Sequence, residues 1–260
     1  NTLKISAGNT LNGSTAVPTN RVTNLQNNAG VLAAKVSDSQ VGLSSAAIAG
    51  TAVTVSGNTF ETEATANWAK NRATVESSNV AGGLGSDVTN KTDSTQTNTA
   101  GVSATTEKTR VGVPADPAIT VNTIATSPTA VSGNELTASA TGNSVDSAMT
   151  VSSLNTLGGS ASVPTNQVTN LQTNSGVGIT ALVGGTLAAD GSMVGVAAGS
   201  ITGSPTTVNS SLLSAQSMGN EAANALTVKS SNVMQADATA LVDNRQTNSA
   251  ISTARVLNSV

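Results

Sequence analysis

The chain has 260 residues, with 14 acidic and 11 basic side chains and a net charge of −3. It contains no His and no Cys, which removes Ser-His-Asp triads, thiol nucleophiles, imidazole metal ligands and zinc fingers together. With one Trp, one Phe, no Tyr and only scattered Lys and Arg, it offers neither stacking platforms nor a phosphate-binding patch, so nucleic acid is not an expected partner.

Hydrophobic residues make up 37% and charged residues only 10%, too balanced for charge-driven disorder. A core without aromatics must be built from Val, Leu, Ile, Ala and small polar residues, and abundant Thr, Val and Ser favour strands. No apolar run approaches the roughly 18–20 residues that span a bilayer, so no membrane span is expected. The first residue is Asn1, not Met, which reads as a mature or trimmed product.

In chain order, the first predicted strand places Leu3, Ile5 and Ala7 on one face and Lys4 on the other. A box VTNLQNN follows from Val22. Phe60, Thr62 and Ala64 then alternate with Thr59, Glu61, Glu63 and Thr65. After Ala66-Asn67 the alternation resumes with Ala73, Val75 and Ser77 inward. Gly82–Thr89 nearly fits a Gly-Gly-x-Gly-x-Asp calcium roll; it occurs once, so a Gly-rich turn is the favoured reading. The next box starts at Val88 and carries four extra residues before Gln96.

Val111–Pro117 and Ser127–Gly133 read as turns and connections, because Gly and Pro punctuate them. Leu136, Ala138 and Ala140 then oppose Glu135, Thr137, Ser139 and Thr141, and Met149, Val151 and Ser153 follow a polar corner. The box returns as VTNLQTN from Val168, and the last copies are Asn209–Asn232 and VDNRQTN from Val242.

These elements are copies of one another. Ser56–Asn79 realigns without gaps on Ser132–Asn155 and Asn209–Asn232, at shifts of 76 and 77 residues. The Gln of the box sits at 26, 96, 172 and 246. Tandem copies predict a stack in which each unit buries its core against its neighbours. The predicted fold is all-β, a single β-solenoid over 1–260, with units 1–55, 56–131, 132–208 and 209–260. Each unit divides into about three coils, such as 132–153, 154–176 and 177–208.

The corners are predicted at Asn67, Gly142-Asn143 and Gly219-Asn220, where Gly supplies positive φ and Asn tolerates αL. In the box, Leu171 and Thr169 are replaced by Arg245 and Asp243 in the last copy, which marks their face as wet. Asn24, Asn170 and Asn244, with Gln26, Gln172 and Gln246, then either point inward and pair as Asn/Gln ladders or serve only as turn formers. Trp68 follows the corner Asn67 where the other copies have Ser144 and Glu221, so it is the candidate surface contact; Phe60 replaces Leu136 and Leu213 as a core filler.

No GxxxxGK[ST], GxGxxG or Ser-x-x-Lys arrangement occurs, and no carboxylate pair recurs. No enzyme, metal site or cofactor is expected. Sequons at Asn12, Asn90 and Asn209 match chance in so Asn-rich a chain.

The boxes Gln172-Thr-Asn174 and Gln246-Thr-Asn248, with Gly142-Asn143, resemble bacterial secreted fibre subunits of the curli and Fap kind. Composition is also similar to holdfast anchor proteins. The resemblance implies export, self-assembly and a cell-surface or matrix role. The chain departs from it in the length of its unit, since curli-type units are far shorter, and in its single Phe.

The expected function is therefore a structural subunit of an extracellular filament that stacks head to tail, with itself as main partner and outer-membrane secretion or anchor proteins as others. Asn1 falls in mid-unit and neither end reads as a cap, which fits stacking. The alternative is a stalk or binding module of an adhesin or phage fibre. Ice binding ranks last, because the outward positions mix Thr with Glu, Lys and Ser.

Overall fold

The computed structural model describes residues 1–12, 20–81, 90–157, 165–185, 187–234 and 240–259. Among them, six parallel sheets carry the fold, and no helix is long and apolar enough to cross a membrane. Alternating small apolar and polar residues leave one side of each strand dry, so stacking in register buries that side continuously.

The first sheet joins β1 (Thr2–Asn12), β7 (Thr59–Ala81), β13 (Glu135–Leu157) and β19 (Leu212–Met234). The second joins β2 (Asn20–Asn28), β8 (Asn90–Asn98), β14 (Asn166–Asn174) and β20 (Ala240–Asn248). The third joins β3 (Leu32–Ser37), β9 (Val102–Glu107), β15 (Ile179–Val183) and β21 (Ser252–Val256). Three smaller sheets close the coil: β4 (Gln40–Gly42), β10 (Arg110–Val113) and β16 (Met193–Val196); β5 (Ala47–Ala49), β11 (Val121–Ala125) and β17 (Ala198–Thr202); β6 (Val53–Ser56), β12 (Thr129–Ser132) and β18 (Thr206–Asn209).

The protein is thus a β-solenoid of repeated coils. The division of each unit into three coils does not hold. Every strand pairs with its own copy one repeat away, as Leu136 does with Phe60 and Leu213. One whole repeat is one coil, because identical side chains stack best on themselves and no two strands within a unit share that pattern. The segments expected to be loose, Val111–Pro117 and Ser127–Gly133, contribute β10 and β12. They were hidden by length: four-residue strands carry too little alternation to stand out from flanking Gly and Pro.

The corner is also different. β13 runs unbroken for 23 residues, and Gly142 and Gly219 are not among the positive-φ glycines. What changes there is parity. Leu136, Ala138 and Ala140 are buried before Gly142; Asn143, Val145, Ser147, Met149 and Val151 are buried after it. Even positions face inward, then odd ones. The glycine is required by closeness rather than by φ: a Cβ on Gly142 would lie 2.5 Å from the Gly219 carbonyl oxygen and 2.9 Å from Ile179 Cδ1.

The parity change divides the core. The first half of the long strand shares one apolar cluster with β15 and the short sheets, including Leu136, Ile179, Val111, Ile124 and Val131. The second half shares another with the β14 wall, including Val75, Met149, Val151 and Val168. Phe60 packs against the first cluster.

Candidate functional site: the amide ladders

The two cores are separated by polar side chains, and those side chains are the most repetitive feature of the molecule. β14 buries alternate residues, so Asn166, Val168, Asn170, Gln172 and Asn174 point inward and are fully buried. A buried amide without partners costs several kcal/mol in an apolar setting, on the order of 2–7. Here the copies supply the partners, although Asn170 is paired through its amide hydrogen alone.

Gln246 Nε2 donates to Gln172 Oε1 at 2.6 Å, Gln172 Nε2 to Gln96 Oε1 at 2.8 Å, and Gln96 Nε2 to Gln26 Oε1 at 2.7 Å. The second hydrogen of each amide crosses to the long strand. Gln26, Gln96 and Gln172 donate to the carbonyls of Trp68, Ser144 and Glu221, at 2.8, 2.9 and 2.8 Å. The ladder therefore ties coil to coil and wall to wall at once.

The corner asparagines return the tie from the other side. Asn67 donates to Asn143 Oδ1 at 2.8 Å and Asn143 to Asn220 Oδ1 at 2.7 Å. Their second hydrogens reach the carbonyls of Thr97, Thr173 and Thr247. So Asn67, Asn143 and Asn220 are cross-braces within strands. Gly142 and Gly219 lie against Asn174 and Asn248, a contact tight enough to exclude a Cβ without movement.

Two further columns escaped the sequence reading. Asn28, Asn98 and Asn174 donate in turn to Asn98, Asn174 and Asn248, at 2.8, 2.8 and 2.6 Å. Asn20 donates to Asn90 and Asn90 to Asn166, both at 2.7 Å. Their recurrence at the two ends of the box, at the shifts of the Gln, was the available signal. The column of Asn24, Asn170 and Asn244 is less regular. Asn170 donates to Asn244 Oδ1 at 2.7 Å, but the second coil has Ser94 between Asn24 and Asn170.

The register also corrects the box of the second coil. Thr92, not Val88, occupies the place of Val168, and no residues are inserted between it and Gln96. Thr is nearly isosteric with Val, and the Asn and Gln columns on either side fix the alignment whatever stands there.

Trp68 lies on the outward face and is 60% exposed. It borders a shallow hollow of about 410 Å³ with Asn24, Gln26, Lys70 and Arg72. Asn90, one of the sequons, is fully buried in its ladder, which leaves no room for a glycan; Asn209 is exposed. The calcium-roll-like Gly82–Thr89 lies outside the described residues, as does the side chain of Asn12. Among the described residues no three acidic side chains converge on one point.

Charged residues are likewise paired between coils: Arg21 with Asp93 at 2.7 Å, Lys35 with Glu107 at 2.6 Å, Lys108 with Asp190 at 3.3 Å, and Arg72 with Asp146. The hydrogen bond from Arg72 holds the Asp146 carboxyl below the ordinary carboxylate range, and its charge adds to the effect. The hydrogen bond to Asp190 raises the Lys108 ammonium above its ordinary value.

Comparison with protein-family models, with curated proteins and with solved structures finds no match for this chain.

Proposed function

We propose that this chain is a structural subunit of an extracellular, cell-surface filament, and that the filament grows by head-to-tail stacking of coils. One observation carries the reading: the strands of every sheet stack in parallel on their own copies, in register save for a slip of one residue between Ala7 and Thr10 where β1 meets β7, and Asn and Gln columns run along the stacking axis. Each coil therefore offers the next one the same row of backbone donors and acceptors, and the Gln172 and Asn174 columns offer the same amides at every level. A second copy of the chain brings the same row. The chemistry is that of in-register cross-β stacking, in which identical side chains pair best with themselves.

Shape favours the same reading. Coils rise by about 4.8 Å each, so four levels span only about 19 Å, whereas a 23-residue strand reaches at most about 75 Å.

The test is electron microscopy of the purified chain diluted from denaturant into buffer. Filaments with an axial spacing near 4.8 Å are expected. Monodisperse plates at high concentration would overturn the reading. They would favour the stalk or binding module instead, for which exposed Trp68 is the specific observation.

A further inference from the structure

Two interior columns hold a serine where the neighbouring coils hold asparagine. On the β14 wall the column reads Asn24, Ser94, Asn170, Asn244. On the long-strand wall it reads Asn1, Asn71, Ser147, Asn224. Each serine accepts from the amide of the coil before it: Asn24 Nδ2 reaches Ser94 Oγ at 3.1 Å, and Asn71 Nδ2 reaches Ser147 Oγ at 3.2 Å. In an unbroken column, such as Asn20, Asn90 and Asn166, the next carbonyl oxygen then receives an amide hydrogen in turn. A serine is too short to supply it. Asn170 Oδ1 and Asn224 Oδ1 are accordingly buried without a partner in the chain.

The Ser94 position has a third group of this kind. Thr92 precedes Ser94 by two residues on the same inward face of β8, and its Oγ1 is also buried without a partner. Thr92, Ser94 and Asn170 are each fully buried. Buried polar atoms are nearly always satisfied, by protein or by ordered water.

We propose that Ser94, Thr92 and Asn170 form a binding site for one water molecule inside the solenoid. The Ser94 hydroxyl, already accepting from Asn24, donates its hydrogen to the water. The water donates to Asn170 Oδ1, and Thr92 Oγ1 supplies the third contact. Three partners are the usual complement of a buried water, and the side-chain volume lost from Asn to Ser is close to the ~30 Å³ that one water occupies. A cation is disfavoured although all three ligands are oxygens, because they are neutral and a buried charge would stay uncompensated.

The experiment is a structure of the full chain at a resolution that shows ordered waters, together with urea unfolding of two variants. A density peak about 2.7–3.2 Å from Asn170 Oδ1 is expected in the parent chain. Ser94→Asn completes the column, so it should remove the peak and raise the urea midpoint. Thr92→Val copies the Val22, Val168 and Val242 of the other coils, so it fits sterically. If the water is bound, this variant loses one of its contacts and the midpoint falls. If the hydroxyl is unhydrated, valine relieves it and the midpoint rises. The proposal is overturned by the absence of a peak in the parent chain, by a rise with Thr92→Val, or by a peak that gains anomalous signal when sodium is replaced with rubidium. Should Ser94→Asn fail to fold, the parent density and Thr92→Val still decide.

Discussion

At the scale of single residues, the columns define where substitution is costly. Gln172 donates to Gln96 and to the Glu221 carbonyl and accepts from Gln246. Gln172→Ala leaves those groups buried and unpaired, and a loss of about 3 kcal/mol is expected; a shifted urea midpoint with an unchanged slope checks it. Gly112 has φ +144°, and a Cβ there would lie 1.8 Å from the Gly195 carbonyl oxygen. Gly112→Ala should therefore destabilise by about 3 kcal/mol, which a far-UV thermal melt reads directly. The opposite sign is expected at Thr126, which stands at φ +51° where the neighbouring coils place Gly50 and Gly203. Thr126→Gly removes the left-handed strain of a β-branched residue and should gain about 0.5–1 kcal/mol in the same melt. The sequence marked several of these positions. Asp243 and Arg245 identify the outward face of the box, and Gln172 is buried beneath it. The need for Gly112 was not legible, because it arises from the carbonyl of a coil 83 residues away.

At the scale of elements, stacking turns sparse surface charges into pairs between coils, and this sets the pH response. The Asp146 carboxyl is lowered, mainly by its hydrogen bond from Arg72. Its contribution is therefore complete above the unfolded carboxylate value, near pH 4, and is lost as pH falls through the lower folded value. Lys108 is raised, so its contribution holds below the unfolded lysine value and is lost as pH climbs through the higher folded one. With no His, no imidazole titrates between these arms. The melting temperature should stay flat between about pH 5 and 9 and fall on the acid side. Asp146→Asn should flatten part of that acid arm. A midpoint that changed steeply near pH 6.5 would contradict this account. Elements also show where sequence alternation misleads. Leu136 to Ala140 and Met149 to Ser153 were legible as two inward faces, whereas Asn143, Val145 and Ser147, buried on the second of them, were not. Two faces on one strand implied a turn between them, yet the backbone accommodates the change of parity within β13 at the Gly142–Gly219 approach.

At the scale of the whole molecule, the core is a pair of thin apolar cells closed by polar braces, without a single fully buried aromatic ring. Filaments, if they form as proposed, should give the meridional reflection of stacked strands near 4.8 Å by fibre diffraction. The sequence by itself determined which residues are equivalent, since copies at shifts of 76 and 77 residues carry the same inward faces, although three coils to a unit would have paired strands within it rather than these copies with one another. It determined the β class too, since alternation by two has no other use in a chain so poor in aromatics. What only the tertiary structure decided is how far one turn of the solenoid extends. Alternation records which side of a strand is dry, not which other wall dries it. That choice rests on Gln172 reaching the Glu221 carbonyl and Asn143 reaching that of Thr173, bonds between residues with no likeness to one another. No repeat in the sequence could announce them.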